Sequence, residues 1–504
     1  MVLMAAGVLA AFSPALDIFL AGDDFEWLGA SYDLVARPML SFEPINHFFR
    51  PLVKWTYLGD YLIFGTMGAG YIATSLLIHF ANSLLLFVLI KRRISQPLVA
   101  AGSAAAFALS PLHSEAILWA AGRPDTVLLA CWLAAILLLD GWCDRPGIGR
   151  ATAFTSVALL GIGAKESWVV FPVLATGYVV WVRRESIATG FRRTAVLWTA
   201  WLAYLVVFFV LPMTSNQATA THYADFTIVP AVAKTSRTLL GYCGLGWTGI
   251  AGWPAFVVAG FLVIATAAWL IRTRTGFGGW SLLWMAASLA LAAPFPLSVL
   301  RHNYLPLAGF WMLAAVVLDR IPDGTGNKAA PGCRRFRMAV TVAAVFAVLT
   351  VEAWFLQREI VDYRLYGDLH FRLCQALASV EPEISREKPL VLINQGNLRG
   401  VEFMASSLQG GYKTFFVRRD ALWQLVFFPQ LADFVGQPFE ERLVRIAPLE
   451  HGVVQTGCTV VLFNDNGFQL RPDLEDQVIT AMSAAELPPT ISIYRYERLS
   501  APGG

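Results

Sequence analysis

Charge is scarce in this sequence. Of its 504 residues only 14% are Asp, Glu, Lys or Arg, while 57% are hydrophobic; a soluble domain carries about 25% charged residues. So little charge does not cover a globular surface, and a mean hydropathy of +0.57 makes the bilayer the natural solvent. The net charge of +3 is too small to suggest a nucleic-acid partner. Cysteine is sparse and unpatterned: Cys131, Cys143, Cys243, Cys333, Cys374 and Cys458 show no CxxC or Cys/His spacing, which argues against a zinc site. Residues 2–21 are apolar but lack a basic n-region, and no small-residue cleavage site precedes Asp23. They read as a retained first helix rather than a signal peptide. No internal repeat is evident.

Long apolar runs are abundant. A helical span needs about 20 largely apolar residues, and runs near that length fall at 2–21, 70–90, 97–112, 124–142, 151–164, 167–182, 194–212, 252–271, 279–299, 304–319 and 337–356, eleven in all. The pair covering 151–182 is short for two full crossings. The apolar stretch 228–248 carries Lys234 and Arg237 and reads as a surface or re-entrant helix. Positive charge gathers in alternate connections: Lys91-Arg92-Arg93, Arg145 with Arg150, Arg183-Arg184 with Arg192-Arg193, Arg272 with Arg274, and Arg320 through Arg337. By the positive-inside rule these face the cytoplasm, which places the N-terminus inside and the C-terminus outside.

Residues 358–504 contain no span-length apolar run. Strand-like stretches at 389–393, 414–417, 459–463 and 490–496 suggest a small extracytoplasmic α/β domain following a membrane domain at 1–357. Cys374 and Cys458 would share the oxidising compartment and be free to pair, whereas Cys143 and Cys333 would face the cytoplasm. The turn Asn394-Gln-Gly396-Asn397 follows a strand, a common place for a ligand loop.

Ionisable groups near the hydrocarbon are costly, about 2.5–3.5 kcal/mol at a helix centre, so those at the outer ends of spans are informative. Asp23-Asp24 follows the first span and suits either general-base or metal chemistry, or a helix cap. His47-Phe-Phe-Arg50-Pro51-Leu-Val-Lys54, in an outer loop at 22–69, suits lipid phosphates or ordinary interfacial anchoring. His113 and Glu115 lie two apart, followed by Gly122-Arg123-Pro124-Asp125; they converge on a ligand or cap a helix. Lys165-Glu166 either neutralises itself or presents a cation to phosphate. Arg301-His302-Asn303-Tyr304 opens a span as an anion-binding lip or by snorkelling. All five clusters fall on one expected side, carboxylates and cations together, and that convergence points to an active site.

The order of these motifs is recognisable. Asp23-Asp24, Phe49-Arg50-Pro51-Leu52, His79-Phe-Ala-Asn82, Pro111-Leu-His113-Ser-Glu115-Ala, Gly122-Arg123-Pro-Asp125, Ala164-Lys165-Glu166 and Arg301-His-Asn-Tyr304-Leu-Pro306 resemble the polytopic glycosyltransferases of superfamily C (GT-C). The likeness is greatest to the membrane half of the transmembrane and tetratricopeptide-repeat-containing O-mannosyltransferases and their bacterial relatives. It covers roughly residues 1–320. No tetratricopeptide repeats follow, so that family's acceptor does not carry over.

The resemblance implies an all-α polytopic membrane domain in a bacterial inner membrane and transfer of a hexosyl group from a polyprenyl-phosphate carrier, with inversion, on the outer face. The acceptor would be a hydroxyl of a glycan, lipid or protein. It implies Asp24 as general base with Asp23 orienting the acceptor or a metal. Arg50, Lys165 and Arg301 would hold the leaving phosphate, with Arg123 and His302 in reserve and Glu166 orienting Lys165. Trp27 and Tyr304 would stack on the sugar. Metal use varies among relatives; Asp24, His113 and Glu115 have the donor types for Mg²⁺ or Mn²⁺. A transporter or lipid flippase would instead show charges deep in mid-span and matched halves, and a non-catalytic subunit would make Asp23 and Asp24 dispensable. A ligase using lipid-diphosphate donors would carry its working residues in a late outer loop, whereas here they come early.

Overall fold

The computed structural model describes residues 2–43, 48–210, 228–243, 253–293, 300–320, 331–380, 390–394, 424–427, 459–464, 467–470, 472–476 and 493–495. The chain divides into two compact units. The first comprises 1–17, 39–56 and 69–363; the second comprises 18–38, 57–68 and 364–504.

Helices occur at every apolar run read from the sequence, with instructive differences at their ends. The first stops early: Val2–Phe12 is α-helical and Ser13–Asp17 is a tighter 3-10 turn, because Pro14 bars a continuous helix. Residues 166–182 form a broken rod of 3-10 turn (Glu166–Val170), α-helix (Phe171–Gly177) and π-turn (Tyr178–Val182), which shortens the weakest of the spans. The 228–248 stretch is helical at Ile228–Tyr242. The last run belongs to a continuous 50-residue helix, Pro331–Val380, so the boundary drawn after residue 357 falls inside one element. Gly68–Lys91 and Ala120–Asp144 are long and apolar enough to cross a bilayer by length and composition.

In the first unit the Gly276–Ala292 and Tyr304–Asp319 helices pack as a hairpin, and Tyr304–Asp319 also packs on Pro97–Leu109. Among the described residues four fully buried tryptophans fill the interior: Trp132, Trp168, Trp280 and Trp284. A buried indole N–H usually finds an acceptor, and all but Trp132 do. Trp280 donates to the Leu174 carbonyl at 2.8 Å, Trp284 to Leu305 at 2.9 Å and Trp168 to Ala158 at 2.6 Å. Large apolar side chains such as Leu77, Leu202, Phe261, Ile264 and Phe346 remain exposed, as helices bathed by lipid require.

In the second unit, five described strands form one sheet in the order β4-β3-β1-β2-β5. They are β1 (Leu390–Asn394), β2 (Gln424–Phe427), β3 (Thr459–Asn464), β4 (Gly467–Leu470) and β5 (Ile493–Arg495). The β1 strand runs parallel to β2 and β3, with Val391 opposite Val426 and Val460, and both edge strands are antiparallel. Three of these strands fall where the alternation placed them; the stretch at 414–417, the Gln395–Asn397 turn and Cys458 lie outside the described residues. So do His47 and the side chains of Cys333 and Cys374.

Candidate active site

The site in the first unit is built from chain segments that interrupt helices. Pro111 disfavours helical backbone at Ser110, so the Pro97–Leu109 helix ends there. The Ser110 hydroxyl then accepts the Leu112 N–H at 3.5 Å. The chain makes three short turns before the Arg123–Asp144 helix begins. Gly122 closes this excursion: a Cβ there would stand 2.4 Å from the Glu115 carbonyl oxygen, an approach only glycine permits. At Gly163, beside the Lys165 segment, a Cβ would meet the Pro51 ring at 3.2 Å, a tight contact.

Three cations stand here, each on its own carboxylate. Arg50 donates Nε–H and Nη2–H to the two oxygens of Glu166 at 3.1 and 2.8 Å, a forked pair. Lys165 Nζ lies 2.7 Å from both oxygens of Asp125. Arg301 gives its Nη1–H to Glu115 at 2.6 Å and its backbone N–H at 3.2 Å, with its guanidinium over the Trp119 ring at 4.9 Å. The pairs share one electrostatic neighbourhood. Burial lowers the Lys165 ammonium below the ordinary lysine value, Asp125 opposes that, and Arg50 and Arg301 reinforce it. Burial, then Lys165, Arg301, Lys234 and Arg50, push His302 down to about 2, so it is neutral.

Two nominated residues sit deeper. Arg123 is fully buried; it donates to Ser75 Oγ at 3.2 Å, Thr56 Oγ1 at 3.3 Å and the Tyr71 carbonyl at 2.8 Å, tying helices together. His113 donates Nε2–H to the Phe107 carbonyl at 2.8 Å within a ring cluster of Phe107, His79 and Tyr304. Burial holds His113 at about 3 and therefore neutral. Tyr304, expected against a sugar, is fully buried instead. Its hydroxyl donates to His79 Nδ1 at 2.7 Å and accepts from Asn82 Nδ2 at 3.0 Å, while His79 Nε2–H donates to the Ala108 carbonyl at 2.9 Å.

In the second unit, Asp23 occupies the N-cap of the Asp24–Ala36 helix yet makes no side-chain capping bond. Asp24 is 2% exposed and turns back to accept the Ala21 N–H at 3.0 Å. The helix N-terminus favours its negative charge. Tyr366 stands close enough that burial, then Asp24, then Asp23, raise its phenol to about 12. His370 donates Nδ1–H to the Tyr366 carbonyl at 2.9 Å and packs on the Tyr366 and Phe25 rings; burial lowers it to about 4. Trp27 stacks on Tyr57 at 5.1 Å.

Tyr366 and His370 carry no sequence signal, since they lie on helix beyond the last apolar run. Asp125 stands in a quoted motif, but nothing in its spacing names Lys165 as its partner. Among the described residues no group of three or more His, Cys, Asp or Glu is placed to hold a metal ion. Glu115 is engaged by Arg301, whereas His113 spends only Nε2 on a backbone carbonyl and its buried Nδ1 has no hydrogen-bond partner.

No family model matches the sequence, and neither does any curated protein. Solved structures do. The undecaprenyl-phosphate-bound structure of ArnT from Cupriavidus metallidurans is 16% identical with a TM-score of 0.48, covering 94% of each chain. The apo structure of the same protein is 15% identical with a TM-score of 0.50, again over 94% of each chain. That last likeness is one of fold alone: this chain shares the fold of ArnT.

Proposed function

We propose that the protein is a membrane glycosyltransferase that moves a hexosyl group from a polyprenyl-phosphate carrier to an acceptor hydroxyl on the outer face of the membrane, inverting the anomeric centre. The observation that carries this reading is the gathering of Arg50, Lys165 and Arg301, from three separate interhelical segments, into one electrostatic neighbourhood. A guanidinium fork already engaged with a carboxylate has the geometry a phosphate needs. The motif order and the shared fold support the same assignment.

The acceptor O–H gives its proton to the Asp24 carboxylate as its oxygen attacks the anomeric carbon, with Asp23 orienting the hydroxyl. The bond from that carbon to the carrier oxygen breaks, and its electron pair leaves with the phosphate. Charge growing on that phosphate is met by Arg50, Lys165 and Arg301, which exchange their carboxylate partners for it. Glu166, Asp125 and Glu115 hold the cations ready beforehand. Arg123 and His113 keep the segments in place.

Release of polyprenyl phosphate from radiolabelled polyprenyl-phosphate sugars by the purified protein tests the reading, wild type beside Asp24→Asn. The expected result is turnover in the wild type and a loss of at least about 10²-fold in the variant, with donor binding kept. Equal turnover in both proteins rejects Asp24 as the base. No release with any donor or acceptor extract rejects the transferase.

A further inference from the structure

The segment that carries Glu115 is held from the side by two carboxylates with no part in the reaction just described. Both belong to the Pro331–Val380 helix. Glu352 hydrogen-bonds with the Ser110 hydroxyl, and Glu359 Oε2 accepts from Ser114 Oγ at 3.0 Å. Seven residues make two helical turns, so these acids share one face about 10 Å apart. Ser110 and Ser114 are both fully buried and bracket the Pro111–His113 turn. The opposite side of that turn is held too. Asn303 Nδ2 donates to the Leu112 carbonyl at 2.9 Å, and Tyr242 donates its hydroxyl to Asn303 Oδ1 at 3.0 Å.

Immediately after Ser114 comes Glu115, which receives both the guanidinium and the backbone N–H of Arg301. The direction of the Arg301 guanidinium therefore depends on where Ser114 is held. We propose that Glu359 is a positioning residue of the donor site: by accepting the Ser114 hydroxyl it sets Glu115, and through Glu115 it aims Arg301 at the carrier phosphate. This rests on the glycosyltransferase reading above. A bond that merely glued two helices would lower stability and leave donor affinity alone. A bond that aims Arg301 acts mostly on its grip on a phosphate already charged in the ground state, which appears in KM, and to a smaller extent on the charge gained in the transition state, which appears in kcat. What matters is an acceptor oxygen at position 359, not its charge, so glutamine substitutes for glutamate.

The test compares full-length wild type with Glu359→Ala, Glu359→Gln, Ser114→Ala and the Glu359→Ala/Ser114→Ala double variant. It measures kcat and KM for the polyprenyl-phosphate sugar, and Kd for polyprenyl phosphate itself in detergent. Glu359→Ala and Ser114→Ala should each raise KM and Kd about tenfold, the size of one lost hydrogen bond, with kcat within about threefold. Glu359→Gln should stay within about twofold of wild type, and the double variant should be no worse than either single one. Glu359→Gln as impaired as Glu359→Ala would overturn the proposal, as would unchanged Kd in Glu359→Ala or additive losses in the double variant. Should Glu359→Ala fail to fold, Ser114→Ala against Glu359→Gln carries the same decision. A wild type that binds polyprenyl phosphate but releases none from any donor sinks the transferase reading, while the Kd ratios still decide the role of Glu359. A wild type that binds no polyprenyl phosphate sinks both.

Discussion

Asp125→Ala strands the Lys165 ammonium. In the native protein both carboxylate oxygens lie 2.7 Å from Nζ, with the side chains 12% and 3% exposed. Removing one partner of a buried pair costs about 3–5 kcal/mol. A ceiling follows from titration: neutralising a lysine of ordinary pKa 10.5 at pH 7 costs about 5 kcal/mol, at 1.36 kcal/mol per unit. The ammonium therefore loses its proton rather than stay charged at any greater cost. Burial, Arg50 and Arg301 already lower Lys165, and Asp125 is what raises it; without Asp125 the folded-state value falls further. Between that value and the wild-type folded value, itself below 10.5, the variant has shed a proton that the wild type keeps, so the deficit shrinks by about 1.4 kcal/mol per pH unit as pH rises. Unfolding of the detergent-solubilised protein at pH 7, 8 and 9 should show this narrowing gap from wild type. Asp125→Ala/Lys165→Met should recover most of the loss, because no charge is left buried. A gap that stays constant with pH, or a double variant as unstable as the single one, would refute the reasoning.

Tyr304→Phe leaves His79 Nδ1 and Asn82 Nδ2 without the hydroxyl they share; an unfolding shift of about 1–3 kcal/mol is expected. Gly122→Ala drives a Cβ against the Glu115 carbonyl, so the turn holding Glu115 must move. Donor KM should rise and stability fall, and a variant with wild-type KM would show that the turn absorbs the methyl group. At the other end of the Arg123–Asp144 helix, Asp140 accepts from Arg92 at 3.3 Å, from Arg183 at 3.2 Å and from Arg93. Asp140→Ala should cost about 3–5 kcal/mol in unfolding and leave donor KM unchanged, since 15 helical residues, about 22 Å, separate it from Asp125.

Much of this architecture was legible in the residues. The bilayer admits only backbone that satisfies its own hydrogen bonds, so each apolar run announces a helix before any packing is known, whereas the stops at Pro14 and Pro111 fall inside runs read as 2–21 and 97–112 and came from the structure. The chemistry of the site was legible as inventory: Arg50, Lys165 and Arg301 stand out because charge beside hydrocarbon is rare. Their partners were not. Lys165 adjoins Glu166 in sequence, which suggests a self-neutralising pair, yet Glu166 faces Arg50 and Lys165 faces Asp125.

The sequence by itself therefore determined the membrane class, the helical segments and the residue types available for holding phosphate. Only the tertiary structure decided the pairing. The three ion pairs join residues 116, 40 and 186 positions apart, and no local periodicity reaches across such distances. It also decided that Arg123 and Tyr304 are buried ties and that Tyr366 and His370 stand near the acidic pair. A side chain's polarity is written in its formula, whereas its burial depends on which helices surround it.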